Sequence, residues 1–261
     1  MKRFGIIGNP VAHSLSPALF KAAYGGKWAY DLIEEETFPA AWNRFLEGYD
    51  AINVTAPFKQ DAFFAAGRAT EAANAIGAAN IIFKNRGVTC SDNSDYRAVE
   101  RLLEVLCPDA RRALIIGCGG AGKAAAHAAA SKGLQTTIAN RDEKKAFEFA
   151  ISHPLLDIHW AGLADAGHLA GLADVIIYTV PVPIGSLGRI FHRALGKTYI
   201  EANYKDPSFS PELIGKIRSR GGQYCSGKEW LLLQAIEGYK ILTGEDPDIE
   251  SMKKVFENNG Y

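Results

Sequence analysis

The chain has 261 residues, 48% of them hydrophobic, and its 29 Lys plus Arg balance 29 Asp plus Glu, giving a formal net charge of zero at pH 7. That length suffices for two modest domains or one large α/β unit with a core that needs no staples, so extended disorder is not expected. Zero net charge provides no global field for nucleic acid or an anionic membrane; the expectation is no nucleic-acid and no membrane partner, with any anion bound locally.

Cys90, Cys107, Cys118 and Cys225 are scattered, with no C-x-x-C pair. They read as reduced and buried or incidental. The six histidines, His13, His127, His153, His159, His168 and His192, are dispersed. No metal site is expected. The opening MKRFGIIGNP has too short an apolar run for a signal peptide, and no apolar window approaches the length of a bilayer span. These features lead us to expect a soluble, cytoplasmic protein.

KRFGIIG reads as a strand, and ALFKAAY after Pro17 as a helix. WAYDLIE, FPAAWNRFL and YDAINV continue the series as strand, helix and strand. Residues 60–75 carry a mixed helical signal, and AANIIF and GVTCSDN form two strands around the Asn85-Arg86-Gly87 turn. SDYRAVERLLEVL places Val99, Leu102, Leu103 and Leu106 at helical spacing. Cys107-Pro108-Asp109 breaks that helix, which puts a domain boundary near 105–111.

A βα series follows: strands at 112–116, 135–139, 155–160, 174–178, 198–202 and 222–225, and helices at 121–132 and 142–150. Strands apolar on both faces suit a parallel sheet. KEWLLLQAIEGYKILTG is a long amphipathic helix and DIESMKKVFENN a weaker one; by pattern alone these either cap the second domain or return to the first.

Gly117-x-Gly119-x-x-Gly122, with Gly120 and Ala121 between, follows an apolar strand and opens an Ala-rich helix. In a dinucleotide loop such glycines permit the turn, the approach of pyrophosphate and close helix packing. The plainer reading is a glycine-dependent turn. At the next strand end Asn140 and Arg141 stand where an NAD-preferring fold carries a carboxylate. The Arg141 fork can pair with a 2′-phosphate, with Lys144 and Lys145 offsetting Asp142 and Glu143, so NADP is favoured and NAD is the lesser alternative.

Polar islands close the strands of the first half: His13-Ser14-Leu15-Ser16-Pro17, then Asn53-Val54-Thr55 with Pro57 and Lys59, then Asn80, then Asp92-Asn93-Ser94-Asp95. Strand ends converge at one edge of an α/β sheet, so these side chains could line one pocket. Each island also has a local reading: Ser14 or Ser16 as a helix cap, Asn53 and Thr55 as turn formers, Asp95 as a first-turn carboxylate, Lys59 as a solvated charge.

Taken together, the motifs resemble the shikimate dehydrogenase family from residue 4 to about 244. The family pattern G-x-P-x-x-H-S-x-S-P stands from Gly8 to Pro17, and N-V-T-x-P-x-K from Asn53 to Lys59. I-G-A-x-N occupies Ile76 to Asn80, and N-T-D is present as Asn93-Ser94-Asp95. The family's G-x-G-G-A and N-R match Gly117 to Ala121 and Asn140-Arg141, with Asp142 in place of threonine. Tyr204, Pro207 and Gln234 resemble its late tyrosine, proline and glutamine; Gly227 fills its late glycine, and Trp230 or Leu231 stands near its usual methionine.

The resemblance implies an α/β protein with an N-terminal substrate domain (1–105), a Rossmann-type NAD(P)-binding domain (106–227), a cleft between them, and C-terminal helices (228–261) returning to the first domain. It implies NADP-linked, reversible reduction of 3-dehydroshikimate to shikimate, with Lys59 as general acid/base and Asp95 beside it. Ser14, Ser16, Asn53, Thr55, Asn80, Tyr204 and Gln234 would bind a small hydroxylated cyclic carboxylate. Gly117, Gly119, Gly120, Ala121, Gly122, Asn140, Arg141, Lys145, Thr179 and Gly227 would hold the cofactor. The alternatives are a quinate/shikimate dehydrogenase using NAD or NADP, and a dinucleotide sensor without turnover. The expected state is a monomer or homodimer.

Overall fold

A computed structural model describes residues 2–181, 194 and 196–258. The chain forms two compact units, residues 1–94 with 232–261 and residues 95–231. The sequence reading divides the chain at 105/106 and 227/228, where a helix ends and another begins. The observed divisions fall inside two helices, Ser94–Leu106 and Gly227–Thr243. Pro108 marks where a helix must stop, but it does not say which unit the helix packs with, and residues from Asp95 onward belong to the second unit.

In the first unit, β1 (Arg3–Gly8), α1 (Ser16–Tyr24), β2 (Ala29–Glu34), α2 (Phe38–Gly48) and β3 (Ala51–Val54) make the expected βαβαβ series. The ambiguous segment 60–75 resolves into α3 (Lys59–Ala65), the two-residue β4 (Arg68–Ala69) and α4 (Glu71–Ile76). β5 (Ile81–Asn85) and β6 (Val88–Asp92) form a hairpin whose turn residues Arg86 and Gly87 both take positive φ, 49° and 80°. That geometry matches the right-handed strand twist.

The six strands run in the order β2-β1-β3-β5-β6-β4, with β2, β1 and β3 mutually parallel and β5 antiparallel to both neighbours. β1 and β3 are buried almost throughout, while edge strand β2 is half-buried or exposed apart from Ile33. One face packs Ile7, Ile52 and Val54 against Phe45 and Phe58. On the other, Phe20 of α1 lies 5.3 Å from Phe4 and 5.1 Å from Tyr239, ring centre to ring centre.

The second unit takes α5 (Ser94–Leu106) into β7 (Arg112–Ile116), α6 (Gly120–Ser131), β8 (Gln135–Asn140), α7 (Glu143–Ile151) and β9 (Ile158–Gly162). α8 (Ala166–Leu172), β10 (Val175–Tyr178), β11 (Thr198–Glu201), α9 (Pro211–Ser219) and β12 (Gln223–Cys225) complete the sheet unit. α10 (Gly227–Thr243) and α11 (Ile249–Asn258) close the described chain. The sheet order is β12-β11-β10-β7-β8-β9, all parallel. This is the doubly wound dinucleotide topology, whose chain reversal between β7 and β10 opens a crevice at the strand ends. Alanines at 124, 125, 126, 128 and 129 are fully buried and let α6 approach the sheet closely.

Candidate functional site

In the first unit the polar islands meet at the strand ends. The Asn9 N–H reaches Ala56 O at 3.1 Å and the Thr55 N–H reaches Ile7 O at 2.9 Å, which places the loops after β1 and β3 side by side. Ser14 Oγ lies 3.1 Å from Ser16 Oγ and accepts the Ser16 N–H at 3.2 Å. Neither serine is the N-cap of α1; that position is Leu15 and has no side-chain cap bond. The Ser16 carbonyl accepts from Tyr239 Oη at 2.9 Å.

Lys59 opens α3, half-buried, and its carbonyl accepts the Ala79 N–H at 2.8 Å. The lysine backbone is thereby joined to the residue preceding Asn80. Asn53 is buried; its Oδ1 accepts from Tyr30 Oη at 2.7 Å and its Nδ2 reaches Asn80 O at 3.3 Å. Thr55 is half-buried at the mouth of the same loop. Asn80, almost fully buried, accepts the Ser94 N–H at Oδ1 (2.8 Å) and donates from Nδ2 to Ser94 Oγ and to Gln234 Oε1, each at 3.1 Å. Six of the predicted residues, Ser14, Ser16, Asn53, Thr55, Asn80 and Gln234, therefore belong to this unit together with Lys59.

Three further residues shape this polar cluster and were not read from the sequence. The hydroxyl of Tyr30 orients Asn53, and burial, reinforced by Tyr239, pushes its phenol well above the ordinary value. Glu34, paired with Gly8 in the β1–β2 register, accepts the Val11 and Ala12 N–H groups at 2.6 and 3.0 Å. Those two bonds hold its carboxylate below the usual range and anchor the chain that leads to Ser14. Gly238 presents no side chain, and a Cβ there would sit 3.3 Å from Ser94 Oγ and 3.6 Å from Asn53 Nδ2. Only register and helix packing bring these residues in, and no local pattern announces them.

Asp95 and Tyr204 fall in the second unit. Asp95 occupies the first turn of α5, is buried, and accepts the Trp230 indole N–H at Oδ1 (3.1 Å). Tyr204 follows β11 in a loop held at both ends. Glu201 beneath it accepts the Ser208 N–H and the Tyr224 hydroxyl, each at 2.6 Å, and burial raises its carboxyl pKa. At the other end, a Cβ on Gly227 would lie 2.4 Å from the Asn203 carbonyl carbon, so the glycine lets α10 start against this loop. Tyr204, Pro207, Tyr224, Gly227 and Lys228 line a cavity of about 420 Å³.

The glycine loop fits a dinucleotide. Gly117 has φ of 105°, which only glycine adopts without strain, and a Cβ on Gly122 would stand 2.2 Å from Gly117 O. A Cβ on Gly119 would meet open space, leaving the backbone approachable. α6 has Gly119 as its N-cap, no side-chain cap and no carboxylate in its first turn, so its leading N–H groups, from Gly120, Ala121 and Gly122, suit an anion. Thr179 lies across the chain reversal, its Oγ1 bonded to Ile116 O at 2.9 Å. Asn140 holds the loop from below: its Oδ1 accepts the Cys118 N–H at 3.2 Å and its Nδ2 donates to Asp142 O at 2.8 Å. Arg141 and Lys145 are exposed at the same edge.

All four cysteines are free, and burial pushes Cys107 up to about 11 and Cys225 up to about 12. Thiols so shifted are poor nucleophiles at neutral pH. Among the described residues no cluster of His, Cys, Asp or Glu could hold a metal, and no helix is long and apolar enough to cross a membrane. His192 lies outside the described residues.

Comparison with known proteins agrees with this geometry. The family model for the shikimate dehydrogenase substrate binding domain matches residues 6–82. Shikimate dehydrogenase (NADP(+)) of Haloarcula marismortui is 32% identical over 97% of each chain. The crystal structure of Mycobacterium tuberculosis shikimate dehydrogenase is 26% identical with a TM-score of 0.85, covering 99% of this chain and 100% of that one. Quinate dehydrogenase from Corynebacterium glutamicum, solved in complex with NAD, shares the fold with a TM-score of 0.84 at 21% identity over 98% and 99% of the two chains.

Fold and site define a two-domain α/β protein with an N-terminal substrate-binding domain and a Rossmann-type NAD(P)-binding domain. The chain belongs to the shikimate dehydrogenase family, a family of oxidoreductases.

Proposed function

We propose that this chain is an NADP-dependent shikimate dehydrogenase that reversibly reduces 3-dehydroshikimate to shikimate. The observation that carries the reading is the network of buried Asn53, Asn80 and Ser94 with half-buried Gln234, in one unit with Ser14, Ser16 and Lys59. Such fixed amides and hydroxyls suit a ring bearing several hydroxyls and a carboxylate.

A bound nicotinamide supplies the hydride that no ordinary side chain can give. As the ketone is reduced, negative charge grows on its oxygen; the Lys59 ammonium stabilises that charge and donates the proton, and in reverse Lys59 takes the proton from the alcohol. Asp95 accepts from a substrate hydroxyl. The Ser14 and Ser16 hydroxyls donate to the substrate carboxylate, while Asn53, Thr55, Asn80 and Gln234 hold ring hydroxyls. Arg141, with Lys145 nearby on the same turn, favours the 2′-phosphate of NADP over the plain ribose of NAD. The same reading gives a cytoplasmic protein that works as a monomer or homodimer.

The test is absorbance of reduced nicotinamide on mixing the protein with shikimate and NADP⁺, with parallel reactions in NAD⁺ and with quinate. Shikimate turnover preferring NADP⁺ is expected. Quinate oxidised at least as well, or NAD⁺ used equally, would move the reading to a quinate/shikimate dehydrogenase, and cofactor binding without any turnover would make it a sensor.

A further inference from the structure

Trp230 and Gln234 lie four residues apart on α10, so their side chains leave one face of the helix a single turn apart. Gln234 Oε1 accepts from Asn80 at 3.1 Å and lies 3.4 Å from Ser94 Oγ. Trp230 meets the next residue of α5: its Nε1–H donates to Asp95 Oδ1 at 3.1 Å, with the tryptophan 3% and the aspartate 5% exposed. The first two residues of α5 are thus held by successive turns of one helix.

A buried carboxylate must be hydrogen-bonded to be tolerated, and a donor aimed at a charged oxygen bonds more strongly than a neutral pair. Indole offers one N–H and no acceptor. The bond therefore selects one carboxylate oxygen and fixes the rotation of the group, and the ring packs where it is. A methionine or leucine at this position would fill space without donating anything.

We propose that Trp230 is a positioning residue for Asp95, locking its carboxylate in the rotation that receives a substrate hydroxyl. The inference rests on the dehydrogenase reading, in which Asp95 serves the ring. The indole N–H then matters for turnover of the hydroxylated acid and not for holding the dinucleotide.

Trp230→Phe keeps an aromatic ring and removes the donor. Its kcat/KM for shikimate should fall roughly ten- to a hundredfold, the range for a hydrogen bond to a charged group, with the Kd for NADP unchanged within about twofold. In an Asp95→Asn background the same substitution should cost less than about threefold, because its effect runs through the carboxylate. An equal cost in both backgrounds, or a Trp230→Phe enzyme as active as the parent, overturns the proposal.

An arm independent of turnover uses protein labelled with ¹⁵N-indole tryptophan. The Trp230 Nε1–H resonance, identified by its loss in Trp230→Phe or by sequential assignment should that variant misfold, is expected to move in Asp95→Asn. An unmoved resonance overturns the inference whatever the activity. Absence of shikimate turnover in the parent enzyme defeats the dehydrogenase reading, and with it the catalytic sense of the proposal, even where the resonance moves.

Discussion

Asn80 and Gln234, 154 residues apart in the chain, meet where the Asn80 amide Nδ2 donates to Gln234 Oε1 at 3.1 Å. The same asparagine accepts the buried Ser94 N–H, so its side chain is the node of the first unit's polar network. Asn80→Ala leaves that N–H without its acceptor and should cost about 1–3 kcal/mol of stability, read from urea denaturation. A parent-like unfolding midpoint would show that the network contributes little to the fold.

Lys59 carries the proton transfer in the proposed reaction. Lys59→Ala should lower kcat by about two to four orders of magnitude, the range for losing a positioned proton-transfer group. Circular dichroism of the variant should match the parent. Near-normal turnover by a folded variant would remove the lysine from the chemistry.

Ser14 and Ser16 touch each other through their hydroxyls and, in the proposed mode, grip a carboxylate remote from the reacting carbon. Ser14→Ala and Ser16→Ala should therefore raise KM for shikimate with kcat nearly kept, since the contact exists before and during reaction. A lowered kcat at constant KM would place that serine at the reacting end.

Arg141 stands exposed at the end of β8, next to Asn140, which holds the glycine loop. Arg141→Ala should weaken NADP binding by about tenfold or more while leaving NAD affinity unchanged, because only the former offers a 2′-phosphate to the guanidinium fork. Equal losses for both cofactors in a calorimetric titration would assign Arg141 to the adenine or to the fold.

Glu34 is held below its ordinary value of 4.5 by the N–H groups of Val11 and Ala12. A carboxylate depressed in the folded state stabilises it fully above its unfolded value, and that contribution disappears as the pH falls through the folded value. The parent protein should thus lose stability below about pH 4.5 more steeply than Glu34→Gln, as followed by thermal melts across that range. Glu34→Gln should also raise KM for shikimate at neutral pH through the loosened Ser14 loop. Parallel pH profiles would mean the cap is not formed in solution.

Much of the architecture was legible before any coordinates. The apolar runs that become β7, β8, β10 and β11 begin and end within about two residues of their expected positions, and α5 spans 94–106 as the spacing of Val99, Leu102, Leu103 and Leu106 requires. Segment 60–75 resisted because two helices of seven and six residues, interrupted by Gly67 and a two-residue strand, are too short to show a full amphipathic period. α8 is equally short, whereas the start of α9 was signalled by Ser210 and Pro211 and was not read. The domain divisions inside α5 and α10 differ from the sequence reading because a proline stops a helix without saying which core the helix has joined.

Adjacent residues alone determined the alternating βα grammar, the glycine loop with its demand for a positive φ at Gly117, and the polar islands closing the apolar strands. Each is set by local sterics or by the period of one element, which neighbouring residues encode completely. Tertiary structure decided which islands share a network, that Tyr30 and Glu34 serve them, and that Trp230 reaches Asp95 across 135 positions of chain. Those meetings depend on strand order and on where α10 lies after its long return, so they arise from the packing of whole elements and leave no trace in any short stretch of sequence.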